Sequence, residues 1–109
     1  MPLVVGPDPF YTSRRAKIVQ LAARYALPTM YGWREFAEAG GLISYGPDLA
    51  NAYREAGTHL GRILRGEKPA EMPVELPTKI DMVINIKTAK SLGIAVPDSS
   101  LAPADDVIE

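Results

Sequence analysis

Short apolar runs that stop at Gly/Pro clusters and hand over to a helical pattern recur in the first 66 residues, and this rhythm constrains the fold most. Leu3-Val4-Val5 is an apolar, β-branched run stopped by Gly6-Pro7-Asp8-Pro9, a strand followed by a turn. Thr12 or Ser13 is placed to cap the next helix, whose Ile18, Leu21, Ala22 and Tyr25 form an apolar stripe. Pro28 ends it, because the residue before a proline is pushed out of the α region. Thr29-Met30-Tyr31 predicts a second strand, Trp33 to Ala39 a short helix, and Gly40-Gly41 its stop. Leu42-Ile43-Ser44-Tyr45 predicts a third strand. Pro47 and Asp48 suit the start of the helix that follows, carrying Leu49, Tyr53, Ala56, Leu60, Ile63 and Leu64 to Gly66. Strand-turn-helix units in succession imply right-handed crossovers, hence an α/β fold with a parallel sheet flanked by helices.

The rhythm then breaks. Glu67 to Pro77 holds three prolines and three glutamates and reads as an extended linker. Ile80 to Ile86 predicts a strand and Lys87 to Leu92 a short helix stopped by Gly93. The acidic tail to Glu109 predicts one helical turn at best. The expected organisation is therefore a βα portion over 1–66, a crossing linker over 67–77, and a strand, helix and tail over 78–109.

A chain of 109 residues can bury one modest core without staples. It has no cysteine, so disulfide scaffolds, thiolate metal sites and thiol nucleophiles are excluded, and its single histidine excludes a multi-His centre. A net charge of −1 gives no global attraction to nucleic acid or anionic lipid. No apolar run approaches the ~20 residues of a membrane span, and Met1 to Pro7 lacks the features of a signal peptide. The abrupt start at a core strand favours a fragment of a longer protein, which leaves an exported parent open.

In open α/β sheets ligands bind where the strands end, which singles out Asp8 as a carboxylate for a cationic group. A turn-forming role in Pro-Asp-Pro competes with that reading. Tyr31, Trp33 and Tyr45 fall at the same predicted edge, and Phe10 lies in the first loop. Such aromatics can stack on a ligand or simply fill the core. Arg14 and Arg15 read as surface residues despite opposing the helix dipole, and His59 as a surface or half-buried helix residue. GxGxxG, the P-loop pattern and the Gly-x-Ser-x-Gly elbow are absent, Glu35 and Glu38 have no visible pocket, and nothing points to an enzyme or to a cofactor.

The run Leu27-Pro28-Thr29-Met30-Tyr31-Gly32-Trp33 through Gly40-Gly41-Leu42-Ile43-Ser44-Tyr45-Gly46-Pro47-Asp48 carries more than a fold. With Pro7-Asp8-Pro9-Phe10, Ile63-Leu64-Arg65-Gly66-Glu67-Lys68-Pro69, Pro77-Thr78-Lys79 and Val83-Ile84-Asn85-Ile86-Lys87-Thr88-Ala89-Lys90, it resembles the C-terminal lobe of ABC-transporter substrate-binding proteins of the tryptophan/tyrosine type. The resemblance implies a type I periplasmic-binding-protein fold, two lobes closing on a small organic solute such as an amino acid, and no catalysis. It also implies an ABC permease as partner, a periplasmic or extracellular location, and a chain equivalent to about the last third of the whole. On that likeness Asp8 is the polar ligand contact, with Phe10 and Tyr45 lining the cleft. Thr78 to Leu92 would cross to the other lobe, leaving Ile80, Met82, Ile84 and Ile86 uncovered in isolation. Self-association by exchange of that segment is then expected. The alternative is a freestanding flavodoxin-like or regulator-like interaction module, in which the C-terminal strand pairs within its own sheet.

Overall fold

The computed structural model describes residues 1–77 and 79–109; Thr78, part of the motif quoted above, lies outside the described residues. The elements run β1 (Leu3–Val5), α1 (Pro9–Ser13), α2 (Arg15–Arg24), β2 (Thr29–Tyr31), α3 (Arg34–Glu38), β3 (Ile43–Pro47) and α4 (Leu49–Leu64). After a single 3₁₀ turn at Pro69–Glu71 come β4 (Ile80–Asn85), α5 (Ile86–Ser91), α6 (Asp98–Leu101) and β5 (Asp106–Ile108). The strands form one five-stranded sheet in the order β1-β2-β3-β4-β5.

Pairs β1·β2, β2·β3 and β4·β5 are parallel, as the crossover rhythm demands. Pair β3·β4 is antiparallel, from Ile43 opposite Ile84 to Pro47 opposite Ile80, so the expected parallel sheet is a mixed one. The reason lies in the long excursion between them. The chain leaves β3 at one edge, travels out along α4, and re-enters at that same edge, so the next strand must run the other way. The segment expected to lie uncovered is therefore inside the sheet: Val83 and Ile84 are buried, and only Ile80 among the four apolar positions is exposed. The tail also holds more than a helical turn. Asp105 grips β4 through its backbone N–H to Met82 O and its Oδ2 accepting from Met82 N, both at 2.8 Å, and β5 follows in register.

The core sits under β2. Tyr31 and Phe36 stack with ring centroids 4.8 Å apart, and Val19, Val5, Ile18 and Trp33 pack around them. Burying an aromatic ring of this size contributes roughly 1.5–3 kcal/mol. The helical stripe turns differently from the pattern: Val19 and Ala22 face inward, while Leu21 and Tyr25 are exposed. The first helix is also divided at Arg14, and neither Thr12 nor Ser13 caps it. Asp8 caps α1, with Oδ1 accepting from Phe10 N at 2.8 Å. Asn85 closes the far side of the core. Its side chain caps α5 by accepting from Thr88 N at 3.1 Å and donates to Ala37 O at 3.1 Å.

Helix α4 does not join this body. Between Ser44 and Asp81 no described residue is buried. The molecule measures 55 × 30 × 21 Å with a radius of gyration of 16.8 Å, against about 13 Å for a compact chain of this length.

Candidate functional site

Strands β1, β2 and β3 end at one edge, followed by Gly6-Pro7-Asp8, Gly32-Trp33 and Asp48. Because β4 is antiparallel, its first residues arrive at the same edge, with Asp81 opposite Gly46. The edge is pinched by glycines. A Cβ on Gly46 would collide with Gly32 O, and one on Gly32 would meet Pro7 Cβ at 3.3 Å. Absence of those two side chains lets three strand ends converge and sets the floor of a cleft.

The cleft has a volume of about 300 Å³, and its walls include Asp8, Thr12, Arg15, Trp33, Leu49 and Tyr53. Asp8 is exposed; only its Oδ1 is used by the cap, so Oδ2 stays open to a ligand. Arg15 donates from one guanidinium nitrogen to Thr12 O at 3.1 Å and keeps its other donors. Trp33 is half-buried, one face on the core cluster. The cleft thus sets a carboxylate and a guanidinium beside two aromatic rings.

The other aromatic candidates are placed elsewhere. Tyr31 is 1% exposed and stacked on Phe36, so it is a core residue and not part of the cleft wall. Its burial pushes the phenol pKa above the usual tyrosine value, partly offset by a hydrogen bond with Thr29. Phe10 stands outside the cleft wall, edge-on to Tyr11 at 5.9 Å and covered by the Arg14 guanidinium at 4.7 Å from its ring. Tyr45 lies opposite Met82 on β3, exposed and also outside that wall. The rim therefore retains Asp8 and Trp33 and gains Arg15, Leu49 and Tyr53.

Arg15 carried a signal in the sequence, a cation in the first turn of a helix against its dipole. Tyr53 carried none, since its helical spacing reads as core. Asp81 was also passed over, as one more alternating position in a strand. It is buried at this edge, and among the described residues its Oδ1 has no hydrogen-bond partner and only Lys79 Nζ nearby, at 3.6 Å. His59 is half-buried and faces Glu75 Oε2 at 3.2 Å, while Arg34 ties Glu38 at 2.8 Å and Asp106 of β5. Among the described residues no cluster of His, Asp or Glu could hold a metal ion, and no helix is long and apolar enough to cross a membrane.

Comparison with known proteins places this geometry. No curated protein matches the sequence. Solved structures similar to it include the following three. A conserved domain protein from Vibrio cholerae O1 biovar El Tor strain N16961 shares 24% identity at a TM-score of 0.88, over 96% of this chain and 36% of that one. An ABC domain in complex with L-Trp from Streptococcus pneumonia shares 32% identity at a TM-score of 0.83, over 93% and 35%. The ligand-free, open structure of a substrate binding protein with adhesive properties from Clostridium difficile shares 23% at a TM-score of 0.60, over 97% and 36%. The chain spans about a third of the length of each. The family model for ABC transporter substrate binding proteins matches residues 2–108. With that match across nearly all of its length, this chain belongs to the ABC transporter substrate binding protein family.

Proposed function

We propose that the chain is the C-terminal lobe of the solute-binding component of an ABC-type import system, working outside the cytoplasmic membrane with a permease as partner. The solute class is a zwitterionic amino acid or a similar small organic molecule. The observation that carries this reading is the cleft itself, where Asp8 complements an ammonium group, Arg15 a carboxylate, and Trp33 with Tyr53 an apolar or aromatic side chain. The complex of the 32% identical Streptococcus domain with L-Trp supports that class. A freestanding module would also pair β4 within its own sheet. That arrangement, however, superposes over 96% of this chain on a Vibrio chain nearly three times as long, so it does not mark an independent unit.

Function follows from geometry at the sheet edge. A solute gripped by groups of one lobe and then by groups of a second stabilises the closed form by its differential contacts. No covalent step is involved. One lobe alone supplies half of the contacts, so the 109-residue chain binds weakly.

The test is NMR titration of the chain with L-Trp and a panel of amino acids. Expected are fast-exchange shifts at the Trp33 indole and the amides of residues 12–15, with a Kd near ~1 mM. Asp8→Asn keeps the helix cap but removes the charge, and weakens that binding at least about tenfold. The absence of any shift with every amino acid, or undiminished binding by Asp8→Asn, would defeat the assignment.

A further inference from the structure

Helix α3 has five residues and is preceded by its N-cap, Trp33, one of the aromatic walls of the cleft. At about 7.5 Å it is too short to hold itself together by its own bonds. At its C-terminal end the backbone turns through Gly40, at φ +111°, and the N–H groups of Gly40 and Gly41 donate to Ala37 O and Phe36 O at 3.1 and 2.8 Å. Two side chains from the turn between β4 and α5 close on the same end. Asn85 donates from Nδ2 to Ala37 O at 3.1 Å, and Thr88 donates from Oγ1 to Gly40 O at 2.7 Å. Near the other end Arg34, the residue after Trp33, pairs with Asp106 of β5. Three polar ties thus reach this one short helix from residues 85–106.

A capping role does not account for Asn85 and Thr88. Asn85 is the N-cap of α5 and Thr88 stands three residues on, the spacing of a capping box, in which each side chain serves the other's backbone N–H. Here only half of the box is made. Asn85 Oδ1 accepts from Thr88 N at 3.1 Å, but Asn85 N already donates to Leu42 O at 2.8 Å. The Thr88 hydroxyl and the amide nitrogen of Asn85 are therefore left over, and both are spent on α3. Asn85→Asp would keep the bond from Thr88 N, and Thr88→Ala would leave the cap intact, so neither group is needed by α5 itself.

We infer that Asn85 and Thr88 are positioning residues for the cleft: they fix the C-terminal end of α3 and, through its single stiff turn, the place of Trp33 at the rim. Trp33 packs against the cluster that contains Phe36, and Phe36 lies on the same short helix, so a slip of α3 carries both rings with it. The consequence for solute binding rests on the function proposed above, whereas the position of Trp33 can be read without any solute.

Trp33 is the only tryptophan of the chain, so its indole N–H resonance reports that position directly. The experiment compares the 109-residue chain with Thr88→Val, which keeps the shape and removes the hydroxyl, and with Thr88→Ser, which restores it. Expected for Thr88→Val is a folded chain with a displaced or broadened indole resonance and an L-Trp affinity weaker by about fivefold in NMR titration. Thr88→Ser should restore both, and Lys90→Ala, exposed on the same helix, should change neither. A displaced indole with unaltered L-Trp affinity would uphold the clamp and break the part given to Trp33 in solute binding. An indole unmoved in folded Thr88→Val, or moved as far in Thr88→Ser, would overturn the inference. Should Thr88→Val fail to fold, relaxation of the indole nitrogen in the unaltered chain decides. An order parameter of about 0.85, that of rigid backbone, is expected, and one below about 0.6 would overturn the clamp.

Discussion

Helix α3 has five residues and buries two of them, Phe36 and Ala37; helix α4 has 16 and buries none. By pattern α4 is the stronger helix, with an apolar stripe over more than four turns. The difference teaches that amphipathicity records what a helix packs against in its working state, and nothing requires that partner to lie in the same polypeptide. Short α3 is held by tertiary contacts: Phe36 on Tyr31, Ala37 O accepting from Asn85, and Arg34 reaching β5. Long α4 is held by its own ladder and by ion pairs from Arg62 to Glu67 and Glu75 of its return segment, which are largely solvated and individually worth less than about 1 kcal/mol.

The sharpest way to break this contrast is substitution at matched apolar positions. Phe36→Ala removes a fully buried ring and should cost about 3–5 kcal/mol, enough to unfold a chain of this size, as urea denaturation would reveal. An intermediate effect comes from the Tyr31 phenol. Its pKa in the folded chain is raised above 10.0, so the neutral form is the stabilised one. Its contribution is complete below the unfolded value and is lost as pH rises through the folded value. Stability should therefore fall above about pH 10 by at most ~1.4 kcal/mol per pH unit, and Tyr31→Phe should flatten that part of the curve. The smallest effect belongs to the arm. Leu64→Ala should change stability by less than about 0.5 kcal/mol in the isolated chain. A loss comparable to that of Phe36→Ala would mean α4 is packed in solution and would erase the distinction.

Much of the fold was legible residue by residue. Gly40-Gly41, Pro28 and Gly66 stop their helices where the pattern places them, and Leu3–Val5, Thr29–Tyr31 and the β3 run form strands as their β-branched or aromatic content predicts. These are local events, decided by backbone freedom and side-chain branching within a few residues. The lining of the candidate cleft was half legible. Asp8 and Trp33 stand at the cleft because residues just after parallel strands reach that edge whatever the packing. Tyr31 was misjudged because alternation along a strand gives two faces without saying which one is covered. Arg15 and Tyr53 were missed because their meeting depends on how α4 leaves the sheet.

By itself, then, the sequence determined most of the element types and their boundaries, the family, and which residues follow the parallel strands at one edge, since each depends on local backbone preference or on a motif. Only the tertiary structure decided that β4 runs antiparallel, that Asp106–Ile108 adds a fifth strand, and that the apolar stripe of α4 points away from the core. Those outcomes turn on strand pairing and packing between residues far apart in the chain. Such contacts are fixed by the shape of the whole body and leave no periodic mark on either partner.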